Sequence, residues 1–145
     1  MKIYIRAMAD SPKEIAAHLK NISWEIDEHI IKLLILPNCR EANHWKREVA
    51  RFLSRIDKLK SKNKWPKASF IRDNLAVHND MIDELVYQVW NNLSEANKRY
   101  LKIGTIKQCI EVYQSWIATE LSKNGAIEYV KIYDKLDEII ESTYE

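Results

Sequence analysis

Residues that form tight turns are scarce in this sequence. The chain contains two glycines, Gly104 and Gly125, and three prolines, Pro12, Pro37 and Pro66, among 145 residues. A β-sandwich or barrel needs a turn after each short strand and is usually rich in these two residue types. Their scarcity therefore argues against an all-β fold. It also nearly excludes the glycine-rich loops that cradle phosphates in nucleotide-binding proteins.

Cysteine pairs, a strong net charge and long apolar runs are also missing. The two cysteines, Cys39 and Cys109, have no CxxC or metal-binding spacing, so we expect buried thiols in a reducing cytoplasm. The net charge of +2 is too small to indicate nucleic-acid binding by the whole domain. Residues 1–6 lack the apolar core of a secretion signal, and the apolar run 30–36 contains Lys32 and is too short to span a bilayer. We therefore expect a cytoplasmic protein without a membrane-spanning segment.

Apolar residues recur at helical intervals along nearly the whole chain. Ser11, Pro12 and Glu14 form a capping-box sequence at the start of the first stripe, and Pro37 ends it. Residues 2–8 are predicted to form a short strand or extended arm, and residues 61–66 the main loop. The predicted helices lie at about residues 11–36, 40–59, 67–93, 94–103, 105–123 and 127–144. The sequence thus predicts one all-α domain, residues 1–145, built as a compact bundle of five or six helices.

The strongest local charge lies between residues 55 and 72, where seven cations accompany one acidic residue. Flexible cations can contact phosphates, and an aromatic side chain can stack on a base. This composition predicts a nucleic-acid-binding patch or a surface for an acidic partner; the alternative is a solvated lysine-rich loop whose tryptophan packs on the core. The candidate contact residues are Arg55, Lys58, Lys60, Lys62, Lys64, Trp65 and Lys67.

Arg72 and His78 are separated by five residues. This spacing resembles the loose Arg-x(4–6)-His signature of the HEPN ribonuclease superfamily, whose members are small helical bundles. The resemblance implies acid–base work by His78 and stabilisation of phosphoryl charge by Arg72. The alternative is a hydrogen-bonded core histidine, because His78 lies on the apolar stripe of its predicted helix.

No complete metal or cofactor motif is present in the sequence. Glu41 and His44 have the spacing used by di-iron bundles, but a second Glu-x-x-His pair is missing. His29 beside Glu25 and Glu28 is more typical of a local helix pair. We therefore expect neither a metal nor a cofactor. Among the five tryptophans, Trp90 is the candidate for a protein contact, because its turn is apolar on several sides.

Three segments carry a further resemblance: MKIYIRAMA, EHIIKLLILPN and the run from NHWKREVARFL to KASFI, followed by HND. Together they span roughly residues 1–80 and are similar to small uncharacterised proteins of phages and mobile elements of Gram-positive bacteria. The resemblance implies a cytoplasmic accessory protein and supplies no active-site residues. The leading hypothesis is a non-enzymatic helical protein that binds another protein or a second copy of itself. Nucleic-acid binding and ribonuclease activity remain the alternatives.

Overall fold

Regular structure in a computed structural model of the chain is entirely helical within the described residues, 11–62, 70–92, 103–123 and 127–144. The predicted all-α bundle is therefore confirmed. Three features expected from the sequence lie wholly or almost wholly outside these residues: the arm 2–8, the helix 94–103 and the helix end at Asn124–Gly125. The described helices are α1 (Pro12–Ile35), α2 (Ala42–Lys62), α3 (Phe70–Asn74), α4 (Asn79–Trp90), α5 (Ile103–Ser122) and α6 (Tyr129–Tyr144).

Helix α1 begins and ends as its sequence predicts. The Ser11 hydroxyl accepts a hydrogen bond from the Glu14 amide at 3.2 Å, and the Glu14 carboxylate accepts one from the Ser11 amide at 3.4 Å. These two bonds form a capping box, with Pro12 in the first helical position. At the other end, the Leu36 amide donates to the Lys32 carbonyl at 2.8 Å, and Pro37 prevents another helical turn.

Helix α1 lies at the centre of the bundle and contacts each of the other five described helices, α2 most extensively. Its last turns are therefore buried on almost every side. Burial of one large aliphatic side chain contributes about 1.5–3 kcal/mol, so this helix carries a large share of the hydrophobic stabilisation. The fully or almost fully buried aliphatic residues of α1 are Ile15, Leu19, Ile26, Ile30, Ile31, Leu33, Leu34 and Ile35.

The apolar stripes of the other helices pack around α1. The stripe predicted for α5 is Ile106, Cys109, Ile110, Tyr113, Ile117 and Leu121. All six are buried except Cys109, which is half-buried. The stripe predicted for α6 is Ile127, Val130, Tyr133, Leu136, Ile140 and Tyr144. It is partly wrong, because Val130 is 68% exposed. Leu136 is buried as predicted, but Ile132, Ile139 and Thr143 are buried with it where α6 contacts α1, α2 and α5.

The single helix predicted for residues 67–93 is interrupted in the structure. Residues 75–78 are not helical, and they separate the short α3 from α4. His78 occupies the N-cap position of α4 but makes no side-chain cap, because its ring is bonded elsewhere. Helix α5 also differs from expectation: it begins at Ile103, so Gly104 and Thr105 lie in its first turn and do not separate two helices.

Candidate functional site

Two polar side chains are buried in the middle of α1, one helical turn apart. Ser23 is 1% exposed and Asp27 is not exposed at all. Both residues lie in phase with Ile30 and Leu34, so they point into the same core as the apolar stripe. A carboxylate in that position is costly unless other polar groups reach it.

His78 and Gln114 supply the partners of the Asp27 carboxylate. The His78 Nδ1 atom lies 3.0 Å from Oδ2, and the Gln114 Nε2 atom lies 2.6 Å from Oδ1. When Asp27 is ionised, both of its oxygens accept, so the proton of that imidazole bond is on Nδ1. The carboxylate therefore fixes the tautomer and orientation of His78 as well as the orientation of the Gln114 amide.

The same network holds the non-helical segment 75–78 in place. The Ser23 hydroxyl donates to the Ala76 carbonyl at 2.7 Å, and the Gln114 amide nitrogen lies 2.6 Å from that carbonyl oxygen. Gln114 Nε2 is also 3.1 Å from Ser23 Oγ. These hydrogen bonds join α1, α5 and the segment between α3 and α4. They satisfy the Ala76 carbonyl in place of an intrahelical hydrogen bond, which explains why the backbone is not helical at this point.

Burial raises the pKa of Asp27 from its ordinary value of 3.8 to about 6. The hydrogen bonds from His78 and Gln114 act in the opposite direction, because they stabilise the ionised form. Burial dominates, which places the titration of this carboxyl close to neutral pH. We call Ser23, Asp27, His78 and Gln114, with the Ala76 carbonyl, the buried polar network.

His78 is largely covered by its neighbours. Its side chain is 10% exposed, and its ring lies against Trp24 in an edge-to-face arrangement with centroids 4.8 Å apart. Trp24 itself is 41% exposed. His78 is therefore surrounded as the second interpretation of the sequence expects, as a hydrogen-bonded histidine at the edge of the core. Its position differs from that interpretation, because His78 lies before α4 and not on a helical stripe.

Arg72 lies on α3 and is exposed, and it lines a cleft that His78 does not line. This cleft, which we call the α3–α5 cleft, has a volume of about 220 Å³. The structure therefore does not bring Arg72 and His78 to one substrate site, and the ribonuclease alternative remains a prediction. The cleft is lined by Arg72, Leu75, Val77, Glu111, Gln114, Ser115 and Ala118.

The described part of the basic segment is partly engaged in internal contacts. The Lys60 ammonium group donates to the carbonyls of Leu121 and Lys123, where α5 ends. The Arg55 guanidinium lies 5.2 Å from the centre of the Phe52 ring. Lys58 is exposed, Lys62 lies at the end of α2, and the candidates Lys64, Trp65 and Lys67 lie outside the described residues. Nucleic-acid binding by this segment remains a prediction.

A larger and mostly apolar cleft lies where the turn after α1 meets α6. Its volume is about 560 Å³, and we call it the α1–α6 cleft. Trp90, the predicted protein-contact residue, is half-buried against the core and does not line it. The residues that do are Ile35, Leu36, Pro37, Asn38, Cys39, Ile140 and Glu141.

The two clefts were not predicted from the sequence. Of the buried polar network, the sequence pointed to His78 alone. A signal for the network did exist: Ser23 and Asp27 are in phase with the α1 stripe, and Gln114 lies between Ile110 and Ile117 in the α5 stripe. Polar residues at core positions indicate buried hydrogen bonds.

Comparison with known proteins identifies no relative of this chain. Among the described residues, no three His, Cys, Asp or Glu side chains are grouped to hold a metal ion, and no helix is long and apolar enough to cross a membrane. No protein-family model, no curated protein and no solved structure matches the sequence or the fold.

Proposed function

We propose that this protein is a non-enzymatic helical binding protein that receives an apolar segment of a partner protein in the α1–α6 cleft. The cleft is the observation that carries the proposal. It is open, mostly apolar and within the range of about 300–1,000 Å³ that is typical of binding sites. Asp27 is fully buried and the His78 side chain is only 10% exposed, so little of this pair is open to a substrate, which supports a binding role over catalysis.

The walls of the cleft come from a rigid part of the molecule. Ile35 is buried at the end of α1, and Pro37 fixes the backbone of the turn that follows. Ile140 forms the opposite wall from α6 and packs partly against the core. A site whose walls are already held by the fold binds without a large ordering cost, which favours affinity.

The charge at the cleft favours a partner segment with a basic residue beside its apolar one. Glu141 is exposed and lines the cleft. The same helix presents further exposed carboxylates at Asp134, Asp137 and Glu138, of which Asp137 pairs with Lys46 and Glu138 with Lys135. A carboxylate at the edge of an apolar cleft attracts basic partners and disfavours acidic ones.

The cellular setting is part of the same proposal. We propose an accessory role in a phage or mobile element, as the resemblance stated for residues 1–80 implies. Cys39 and Cys109 are half-buried, whereas the sequence predicted buried thiols, and neither forms a disulfide. Unpaired thiols fit the proposed reducing cytoplasm.

Selection from a random peptide library tests the proposed site. Immobilised protein should enrich peptides that combine a large apolar residue with an adjacent lysine or arginine. Fluorescence polarisation should then show at least about tenfold weaker binding to Ile140→Asp, because a charge in the cleft must be desolvated. Val130→Asp is the matched control, because Val130 is exposed on the same helix outside the cleft.

Three results would contradict the proposal. One is a selection without enrichment, and another is equal peptide binding by wild type and Ile140→Asp. The third is concentration-dependent dimerisation in sedimentation experiments that Ile140→Asp abolishes, because the occupant would then be a second copy of the chain.

A further inference from the structure

The buried polar network reaches the protein surface through Gln114. The amide nitrogen of this residue is directed inward by the ionised Asp27 carboxylate and the Ala76 carbonyl, which can only accept hydrogen bonds. The amide oxygen, which is bonded to the same carbon, must then point away from these acceptors. Because Gln114 also lines the α3–α5 cleft, the network fixes a hydrogen-bond acceptor at the floor of that cleft.

Two opposite charges border the same cleft. The Arg72 guanidinium comes from α3, and the Glu111 carboxylate comes from α5, one turn before Ser115. Within the described residues, these two side chains do not form an ion pair with each other, although both line a cleft of only about 220 Å³. Each charge is therefore available for an opposite charge on a ligand.

The remaining lining residues are apolar apart from Ser115. Leu75, Val77 and Ala118 contribute aliphatic surface to the cleft. A complementary ligand therefore has three parts: an anionic group for Arg72, a cationic donor for Glu111 and the Gln114 oxygen, and a small apolar group. The volume admits only a small molecule.

We propose that the α3–α5 cleft binds a free aliphatic α-amino acid in its zwitterionic form. The carboxylate of the ligand pairs with Arg72, and the ammonium group donates to Glu111 and to the Gln114 amide oxygen. The aliphatic side chain lies on Leu75, Val77 and Ala118. This site is separate from the α1–α6 cleft, and the two proposals share no lining residue.

The network gives the site its orientation. An amide on an exposed helix face rotates freely, and its oxygen and nitrogen exchange positions. In this protein the nitrogen is held by buried acceptors from α1 and from the segment between α3 and α4, so only the oxygen can face the ligand. Rigid support of this kind distinguishes a prepared site from an accidental surface depression.

Titration with L-leucine in ¹H–¹⁵N correlation spectra tests the proposal. At millimolar concentrations, L-leucine should shift the side-chain amide signals of Gln114 in the full-length protein. Arg72→Gln and Glu111→Gln should each weaken binding about tenfold, because each loses a charge-assisted hydrogen bond. Arg47→Gln and Glu128→Gln are matched controls, because both residues are exposed and line neither cleft.

Two ligand analogues separate the contributions of the charges. N-acetyl-L-leucine lacks the ammonium group and L-leucinamide lacks the carboxylate, so both should bind at least about tenfold more weakly than L-leucine. Binding of either analogue as strong as that of L-leucine would overturn the zwitterion assignment. The absence of any Gln114 shift with L-leucine, or equal affinity in Arg72→Gln and wild type, would overturn the site itself.

Discussion

The buried carboxylate of Asp27 makes a specific prediction about stability and pH. We consider Asp27→Asn, because asparagine has nearly the same shape and can keep both hydrogen bonds. Its oxygen can accept from the Gln114 amide, and its amide nitrogen can donate to His78 Nδ1 when the imidazole proton is on Nε2. The substitution therefore removes the titration of residue 27 while leaving the packing almost unchanged.

The magnitude follows from the raised pKa. A rise from 3.8 to about 6 corresponds to about 3 kcal/mol in the free energy of unfolding. Because the folded-state pKa is raised, this stabilisation is fully present below pH 3.8 and is lost as the pH rises to about 6. Asparagine has no such dependence. Relative to wild type, Asp27→Asn should therefore gain about 2–2.5 kcal/mol between pH 4 and pH 7, because part of the full difference is already lost at pH 4.

Urea unfolding of both proteins at several pH values between 4 and 7 measures this difference. The other carboxylates titrate in both proteins, so their contributions to the free energy of unfolding cancel in the comparison. A difference between the two unfolding free energies that stays constant with pH would refute the reasoning. In a His78→Leu background the change should move to higher pH, because leucine cannot replace the His78 hydrogen bond, which lowers the pKa of Asp27. The two backgrounds thus separate burial from pairing.

Three further predictions concern stability measured by urea unfolding at neutral pH. Ser11→Ala removes half of the capping box of α1 and should cost about 1 kcal/mol; an unchanged midpoint would contradict the role of the cap. Lys60→Met removes the donor to the carbonyls that end α5 and should cost about 1–2 kcal/mol, whereas Lys20→Met, at an exposed lysine of α1, serves as its comparison. Tyr113→Phe should be neutral or stabilise by up to about 1 kcal/mol, because the buried Tyr113 hydroxyl has no partner among the described residues. A decrease of more than about 1 kcal/mol in the free energy of unfolding would show that the hydroxyl does have a hydrogen-bond partner.

The helices were predictable wherever local chemistry decides their limits. The capping box at Ser11 and the stop at Pro37 depend on residues that are neighbours in sequence, and α1 begins and ends there. The stripe of α5 was equally clear, because its large apolar residues keep one helical phase over about four turns. In α6 two phases compete, and only contact with α2 and α5 decides that Ile132 is buried and Val130 is not.

The break between α3 and α4 could not be read from its own residues. Ile71, Leu75, His78 and Ile82 repeat at helical spacing, so the local pattern predicts one continuous helix. Hydrogen bonds from distant residues override that pattern, because the Ala76 carbonyl accepts from Ser23 and Gln114. Long-range partners of this kind have no signature in a local window of sequence.

The polar residues inside apolar stripes do allow a further step from sequence to structure. Ser23 and Asp27 interrupt the stripe of α1, and Gln114 interrupts that of α5. A buried polar group without a partner costs about 1–3 kcal/mol, so such residues on two packed helices are stable only if they meet each other or a shared third group. Here they meet each other, His78 and the Ala76 carbonyl. The network is thus the feature of the site that sequence alone comes closest to requiring, while the two clefts depend on how the helices are arranged in space.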